Sequence, residues 1–324
     1  MVMASGSGLD PDLARILPLL PLRDAASLTP TRARQDLVAL ADSRKDVPLP
    51  QPAAVTDTRI PIAGGSLSAR IYRPTRMPTG TLMYFHGGGW VAGDLYTHDR
   101  LARTLTIELE AVVVSVDYRR PPEAPFPHAF EDCYAATQWA QTHIGMLGGD
   151  ADRLGVGGDS AGGNLAATVA LACREQKRGL AAQLLIYPVT DLVGCYGSPT
   201  VNAQYPSRAE HADGYFLTLE AMRFFARTYL ADPHSSADPR ASPLRAAELG
   251  GLPPAIVCTA EFDPLRDEGE AYAKRLATAG VPVTYFREPG MIHGYFGMGG
   301  ASPAAEAARR RATSKFKHLL IGAS

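Results

Sequence analysis

The chain has 324 residues, 46% hydrophobic and 20% charged, enough apolar material for a large buried core and too much for a disordered chain. Lys and Arg (32) balance Asp and Glu (33) to a formal net charge of -1, which leaves no positive surplus for phosphates and argues against a nucleic-acid partner. Without a break in composition, one main domain with an embellishment is expected.

Met1 to Asp10 has neither a charged n-region nor an apolar h-region, and no stretch approaches the ~20 apolar residues that span a bilayer. Residues 9 to about 45 carry apolar side chains at helical spacing (Leu13, Ile16, Leu17, Leu20, then Leu37, Val38, Leu40), broken by Pro18, Pro21 and Pro30. This predicts short amphipathic helices ahead of the main fold. After a Pro-rich linker, Val47 to Pro52, two strands (Thr58 to Ile62 and Leu67 to Tyr72) joined by Gly64-Gly65 predict an antiparallel hairpin. Strands then alternate with helices, the pattern of a mostly parallel sheet covered on both faces. The predicted order is strand Thr81 to Phe85, helix His98 to Leu109, strand Ala111 to Tyr118, helix Phe130 to His143, strand Arg153 to Gly157, helix Leu165 to Arg174 and strand Ala182 to Tyr187. From Val193 to Pro239 the alternation is interrupted by a segment rich in Tyr, Pro and Gly, with one clear helix at Leu219 to Leu230. It resumes with strand Ala255 to Ala260, helix Asp267 to Ala279, strand Val283 to Arg287 and a last helix from Pro303 to Leu320. The interruption falls where an insertion reaches over the carboxyl ends of the strands, so it is expected to form a lid together with the N-terminal helices. Arg309-Arg310-Arg311, with Lys315 and Lys317, reads as a solvated face of the last helix.

Cys133, Cys173, Cys195 and Cys258 are widely spaced, with neither a CxxC pair nor the density of a disulfide framework. They read as reduced thiols, and with the missing leader they predict a soluble, cytoplasmic protein with no integral membrane association.

Chemistry converges on Gly158-Asp159-Ser160-Ala161-Gly162, a GxSxG motif between a predicted strand and a predicted helix. Glycines two residues either side of the serine relieve the crowding of a sharp turn that leaves Oγ exposed. Alone, the motif also fits a tight Gly-rich turn of no chemical use. A serine hydroxyl needs a base, and the base needs a carboxylate that fixes its tautomer. Of the four histidines beyond Ser160, His211 and His234 fall in the interrupting segment and His318 in the last helix, leaving His293, in the loop after the last strand, as the base. Asp263 follows the preceding strand and is the acid, although an Asp-Pro pair at such a junction also reads as a helix N-cap. Glu261, Asp267, Glu268 and Asp191 are weaker alternatives. His86-Gly87-Gly88-Gly89-Trp90 follows the strand ending at Phe85, where bare glycine backbone can approach a ligand and turn N–H groups towards it.

Taken together, these stretches resemble the hormone-sensitive-lipase-like esterases, bacterial family IV of the α/β-hydrolases. The resemblance runs from about residue 55 to 320 and is carried by His86 to Val91 with Gly93-Asp94, Val116-Asp117-Tyr118-Arg119, Pro122-Glu123 with Pro125-Phe126-Pro127, Gly158 to Asn164, Asp263 to Glu268, and His293-Gly294. It implies an α/β-hydrolase fold, a mostly parallel eight-stranded sheet flanked by helices. Residues 51–324 would form the catalytic domain, capped by residues 1–50 and by an insertion at about 193–239. It implies a Ser160, Asp263, His293 triad, an oxyanion hole from the N–H groups of Gly88, Gly89 and Ala161, and a structural His86. The expected activity is hydrolysis of small-molecule carboxylic esters with short to medium chains, with no metal or organic cofactor. Amidase or acyltransferase chemistry would use the same triad, and a ligand-binding receptor of this fold would lack the histidine that His293 supplies. A homodimer through the edge near the last strand and helix is a further implication. Tyr295, where Phe is common in the family, would add a polar group near the mouth of the site. Aromatic residues of the insertion (Tyr205, Tyr215, Phe216, Phe224, Phe225) are divided between pocket lining and cap core.

Overall fold

The computed structural model describes residues 8–20 and 27–322; the Pro21 break and the first seven residues lie outside these. Two short helices come first, α1 (Pro11–Ile16), capped by Asp10, and α2 (Pro30–Asp42), capped by Thr29, each with a proline in its first turn. The hairpin follows as β1 (Ala54–Ile62), longer at its start than the alternation predicts, and β2 (Gly65–Arg73), longer at both ends. Next come β3 (Thr81–Phe85), α3 (Asp99–Leu109), β4 (Val112–Asp117), α4 (His128–Thr142), β5 (Leu154–Asp159), α5 (Ala161–Glu175) and β6 (Gln183–Ile186). The interrupting segment holds two single-turn helices, α6 (Pro199–Asn202) and α7 (Ser207–Glu210), besides the expected α8 (Leu219–Leu230). The chain closes with β7 (Ala255–Phe262), α9 (Arg266–Thr278), β8 (Val283–Ile292) and α10 (Pro303–Leu320).

The eight strands form one sheet in the order β1-β2-β4-β3-β5-β6-β7-β8, parallel from β4 to β8 and antiparallel where β2 meets β1 and β4. Successive strand residues feed opposite cores, as the two-residue strand period requires. Met83, Phe85, Val114 and Val116 pack with α4, α5 and α9, whereas Leu82, Tyr84 and Val113 pack with α3 and α10. That double burial is why β3, β4 and β5 read as unbroken apolar or small-residue runs. The chain winds outward in both directions from β3, which has β4 on one side and β5 on the other. A crevice at the carboxyl ends of β3 and β5 is the geometric consequence, and it is where open α/β sheets bind ligands.

One strand departs from expectation. The loop read at Pro289-Gly290 is the continuation of β8, which runs on to Ile292 across a register shift at Ala260/Phe262. Proline has no N–H for the ladder, and the bulge absorbs that gap. The Gly290 N–H finds the Glu261 carboxylate instead (2.8 Å), and its carbonyl accepts from Asp10 N (3.0 Å). All four cysteines are buried and free, and among the described residues no helix is long and apolar enough to cross a membrane.

Candidate active site

Ser160 is the hinge between β5 and α5, at φ 57 and ψ -119, a backbone conformation that non-glycine residues rarely hold. The glycines beside it make the turn sterically feasible. A Cβ on Gly162 would stand 1.9 Å from the Phe85 carbonyl oxygen, and one on Gly158 would stand 2.4 Å from the same atom. α5 begins immediately at Ala161, earlier than its apolar pattern suggests, so its unpaired first-turn N–H groups open beside the serine.

His293 follows the end of β8 directly, and Gly294 at φ 84 turns the chain away after it. Its Nε2 lies 2.9 Å from Ser160 Oγ and its Nδ1 lies 2.7 Å from Asp263 Oδ2. A carboxylate only accepts, so Nδ1 carries the proton and Nε2 is left to accept from the serine hydroxyl. The Tyr187 ring packs 4.6 Å from the imidazole, centroid to centroid. Asp263 is fully buried and serves both readings of its position: Oδ2 meets His293 while Oδ1 accepts from Leu265 N (2.9 Å) in the turn entering α9. The alternative carboxylates are committed elsewhere, Asp191 to Arg245 and Tyr205, Asp267 to Arg266 and Ser207, Glu268 to Arg208.

The glycine loop after β3 lies against the elbow, with Gly88 at φ 112 and Gly89 at φ 60. The Gly88 carbonyl accepts from Val91 and Ala92, but the N–H groups of Gly88, Gly89 and Ala161 bond to no acceptor among the described residues. His86 is fully buried, donates through Nδ1 to the Gly87 carbonyl (2.9 Å) and stacks on Tyr118 (4.2 Å), whose hydroxyl donates to the His86 carbonyl. Burial first, then His98 and Arg120, hold its pKa well below the ordinary histidine value, so it stays neutral and acts as scaffold.

Asp159 escaped sequence reasoning, because the position before the serine in GxSxG tolerates many residues. Its Oδ1 accepts from Gly87 N (3.0 Å) and from the Tyr84 hydroxyl, and His98 Nε2 stands 3.7 Å from Oδ2. Burial opposes its charge, yet His98, Tyr84 and His86 outweigh it and hold its carboxyl below the usual range. A fixed anion thereby ties the glycine loop to the elbow; the only sequence signal was a carboxylate just past the end of the predicted strand, which β5 extends to include.

A cavity of about 670 Å³ opens above Ser160 and His293. Leu37 and Leu40 of α2 line it together with Phe216, Met222 and Phe225 of the interrupting segment. Of the five aromatic residues singled out in the insertion, only Phe216 and Phe225 reach it. Tyr205 bonds Asp191, Tyr215 packs on Phe262, and Phe224 packs on Phe225. Tyr295 is not at the mouth; it is fully buried in the core beside Tyr187 and Phe296. Its ring is wanted there for volume, which explains why Phe would serve equally. Among the described residues no group of three or more His, Cys, Asp or Glu side chains is arranged to hold a metal ion.

The family described as the alpha/beta hydrolase fold matches residues 82–297. The esterase LipI of Mycobacterium tuberculosis is 39% identical over 321 residues, covering 97% of this chain and 96% of the relative. An arylesterase of Saccharolobus solfataricus is 40% identical over 255 residues, 78% of this chain and 80% of its own. Among solved structures, a thermostable esterase from Pseudomonas putida ECU1011 superposes with a TM-score of 0.88 at 40% identity, over 98% of this chain and 99% of its own. The chain belongs to the α/β-hydrolase family, in its hormone-sensitive-lipase-like branch.

Proposed function

We propose that the protein is a serine carboxylesterase working through Ser160, His293 and Asp263 on esters of short to medium chain length. The observation that carries this is the unbroken relay from Asp263 through His293 to Ser160 Oγ, at 2.7 and 2.9 Å, on the floor of a largely apolar cavity. Ser160 Oγ attacks the ester carbonyl carbon as His293 Nε2 takes its proton, and Asp263 steadies the imidazolium. The carbonyl oxygen becomes an oxyanion, received by the free N–H groups of Gly88, Gly89 and Ala161. As the intermediate collapses, the C–O bond to the alcohol breaks and His293 returns the proton to the leaving alkoxide. Water then repeats the sequence on the acyl-enzyme, His293 accepting a proton from water and giving it back to Ser160 Oγ.

Residues 1–50 and about 193–239 form the two pieces of a cap over residues 51–324, a division supported by the side chains both contribute to the lining of the cavity. The four free, buried thiols support a cytoplasmic location, and β8 at the sheet edge supports a homodimer formed there. Cell fractionation and light scattering test these two points.

The deciding experiment is release of p-nitrophenol from acetate, butyrate, octanoate and palmitate esters by wild type and Ser160→Ala. Wild type is expected to turn over the shorter esters, and Ser160→Ala to lose at least about 10³-fold in kcat. A folded wild type inert towards all four, or a Ser160→Ala variant as active as wild type, would overturn the assignment.

A further inference from the structure

The Asp263 to Glu268 motif is only partly used by the chemistry, which engages Asp263 alone. Yet Glu268 is fully buried, and so is the cation it meets, Arg208 of α7. Arg208 Nη2 and Nε donate to Glu268 Oε2 at 2.7 and 3.2 Å, while Glu268 Oε1 accepts from the N–H groups of Thr190 and Asp191 at 2.7 and 3.2 Å. The remaining donors reach the Asp191 carbonyl (2.9 Å) and Asn202 Oδ1 (3.0 Å). Two rings close the guanidinium faces, Tyr196 at 4.6 Å and Tyr205 at 4.2 Å.

Tyr196 is the member of this cluster that lines the cavity. It ends a run of three residues with positive φ, Gly194 at 73, Cys195 at 46 and Tyr196 at 60, so its backbone is held where a tyrosine would not settle unaided. Its hydroxyl makes no hydrogen bond. Its carbonyl accepts from Arg223 Nε (3.0 Å) and from Asn202 Nδ2 (2.8 Å), and Arg208 acts on it twice, directly through the ring face and indirectly through Asn202. The neighbouring Ser207 anchors the same turn to the loop after Asp263, donating through Oγ to the Pro264 carbonyl (3.0 Å) and through N to Asp267 Oδ2 (2.7 Å).

A buried ion pair is a poor way to gain stability, since well-packed apolar residues of similar volume often do as well or better. Burial pushes the Glu268 carboxyl up to about 7 against the pull of Arg208, in keeping with a pair whose value is not stability. A planar guanidinium does what an apolar side chain cannot: it fixes ring planes on both faces while its edge is pinned by directional bonds. We propose that Arg208 is a positioning residue of the substrate pocket, clamped by Glu268 so that it holds Tyr196 as the wall limiting the size of the ester chain admitted. This rests on the esterase reading of the same cavity.

The test is the double variant Arg208→Met/Glu268→Gln, which leaves neither charge buried alone, alongside Tyr196→Ala and the triple variant, each checked for folding by circular dichroism and thermal melting. Kinetic constants are measured over the p-nitrophenyl acyl series and over acetates of increasing alcohol length. In the double variant KM for the preferred chain is expected to rise about tenfold, with kcat falling far less, and the preferred length to move upward in one series. Tyr196→Ala should reproduce that shift, and the triple variant should add nothing to it. A folded double variant with a changed melting temperature but the length preference and KM of wild type would overturn the proposal, as would independent, additive effects of the two lesions. Binding of methyl alkyl ketones of matched length, followed by calorimetry, reads the same wall without turnover. An inert wild type would therefore remove the esterase reading, and unchanged ketone selectivity in the double variant would remove this one.

Discussion

Ser160 holds its strained turn because the space on either side of it is empty of side chains. The Phe85 carbonyl at the end of β3 presses on both Gly158 and Gly162, and the Cβ of an alanine at 162 would sit far inside the van der Waals contact distance of its oxygen. Gly162→Ala is therefore expected to push β3 away from β5, costing on the order of 3 kcal/mol or more in urea unfolding and removing activity with it. Asp263→Asn should separate stability from chemistry instead. The amide oxygen can keep the bond from Leu265 N, so the melting temperature should move little. The His293 tautomer is no longer set, and kcat should fall by about 10³ to 10⁴. A loss in kcat below tenfold would show that Asp263 is dispensable to the relay. These residues were legible in the sequence because steric need and proton chemistry leave few alternatives at their positions. Asp159 was not, since its partner Gly87 lies on another strand's loop and only the β3–β5 register brings them together.

Among the elements, α2 is held to the body by arginines more than by burial. Arg34 donates to the carbonyls of Val91 and Pro121 and to Glu123, Arg44 donates to the Gly297 carbonyl just past His293, and Arg100 reaches up to the carbonyls of Arg44, Val47 and Pro48. The hydrogen bond from Arg34 is the main reason the Glu123 carboxyl falls from the usual 4.5 to about 2. A depressed carboxylate contributes stability above its ordinary value and loses it as pH falls from about 4.5 to about 2. Glu123 is largely exposed, so solvent and salt screen the pair and the contribution should stay below about 1 kcal/mol. Glu123→Gln should therefore lower the melting temperature slightly at pH 6 and not at pH 2, in low salt. Arg34→Ala should cost more at both pH values, because it also strips two carbonyls of a donor; equal effects of the two variants would contradict this. Helical capping and spacing made α2 readable, but the straps join residues far apart in sequence and left no local pattern. The same holds for β8, where Pro289-Gly290 reads as a turn by composition and is kept in the sheet by a bulge and by Glu261 and Asp10 from outside the strand.

For the molecule as a whole, stability should be graded from the sheet outward. α5 is buried along nearly its entire length against β3, β5 and α4, whereas α2 buries only Ala33 and Asp36. The interruption at 193–239 was visible as lost alternation, but which of its aromatic residues face the cavity was not, because Phe224 and Phe225 are identical in composition and differ only in what the fold sets beside them. A segment held by polar straps and few apolar contacts opens locally at a cost well below that of global unfolding. Amide hydrogen exchange should thus show α2 and the single-turn α6 and α7 exchanging at least about 100-fold faster than α5, with α8, anchored through Tyr229 on Trp90, in between. Covalent capture of Ser160 by diethyl p-nitrophenyl phosphate places a diethylphosphoryl group in the cavity that α2 and α8 both line. It should slow exchange in α2 and α8 while leaving α5, already at the global limit, unchanged. Equal protection of α2 and α5 in the free protein would mean that α2 does not open on its own, and substrate would then have to enter past a rigid rim rather than through local opening of α2.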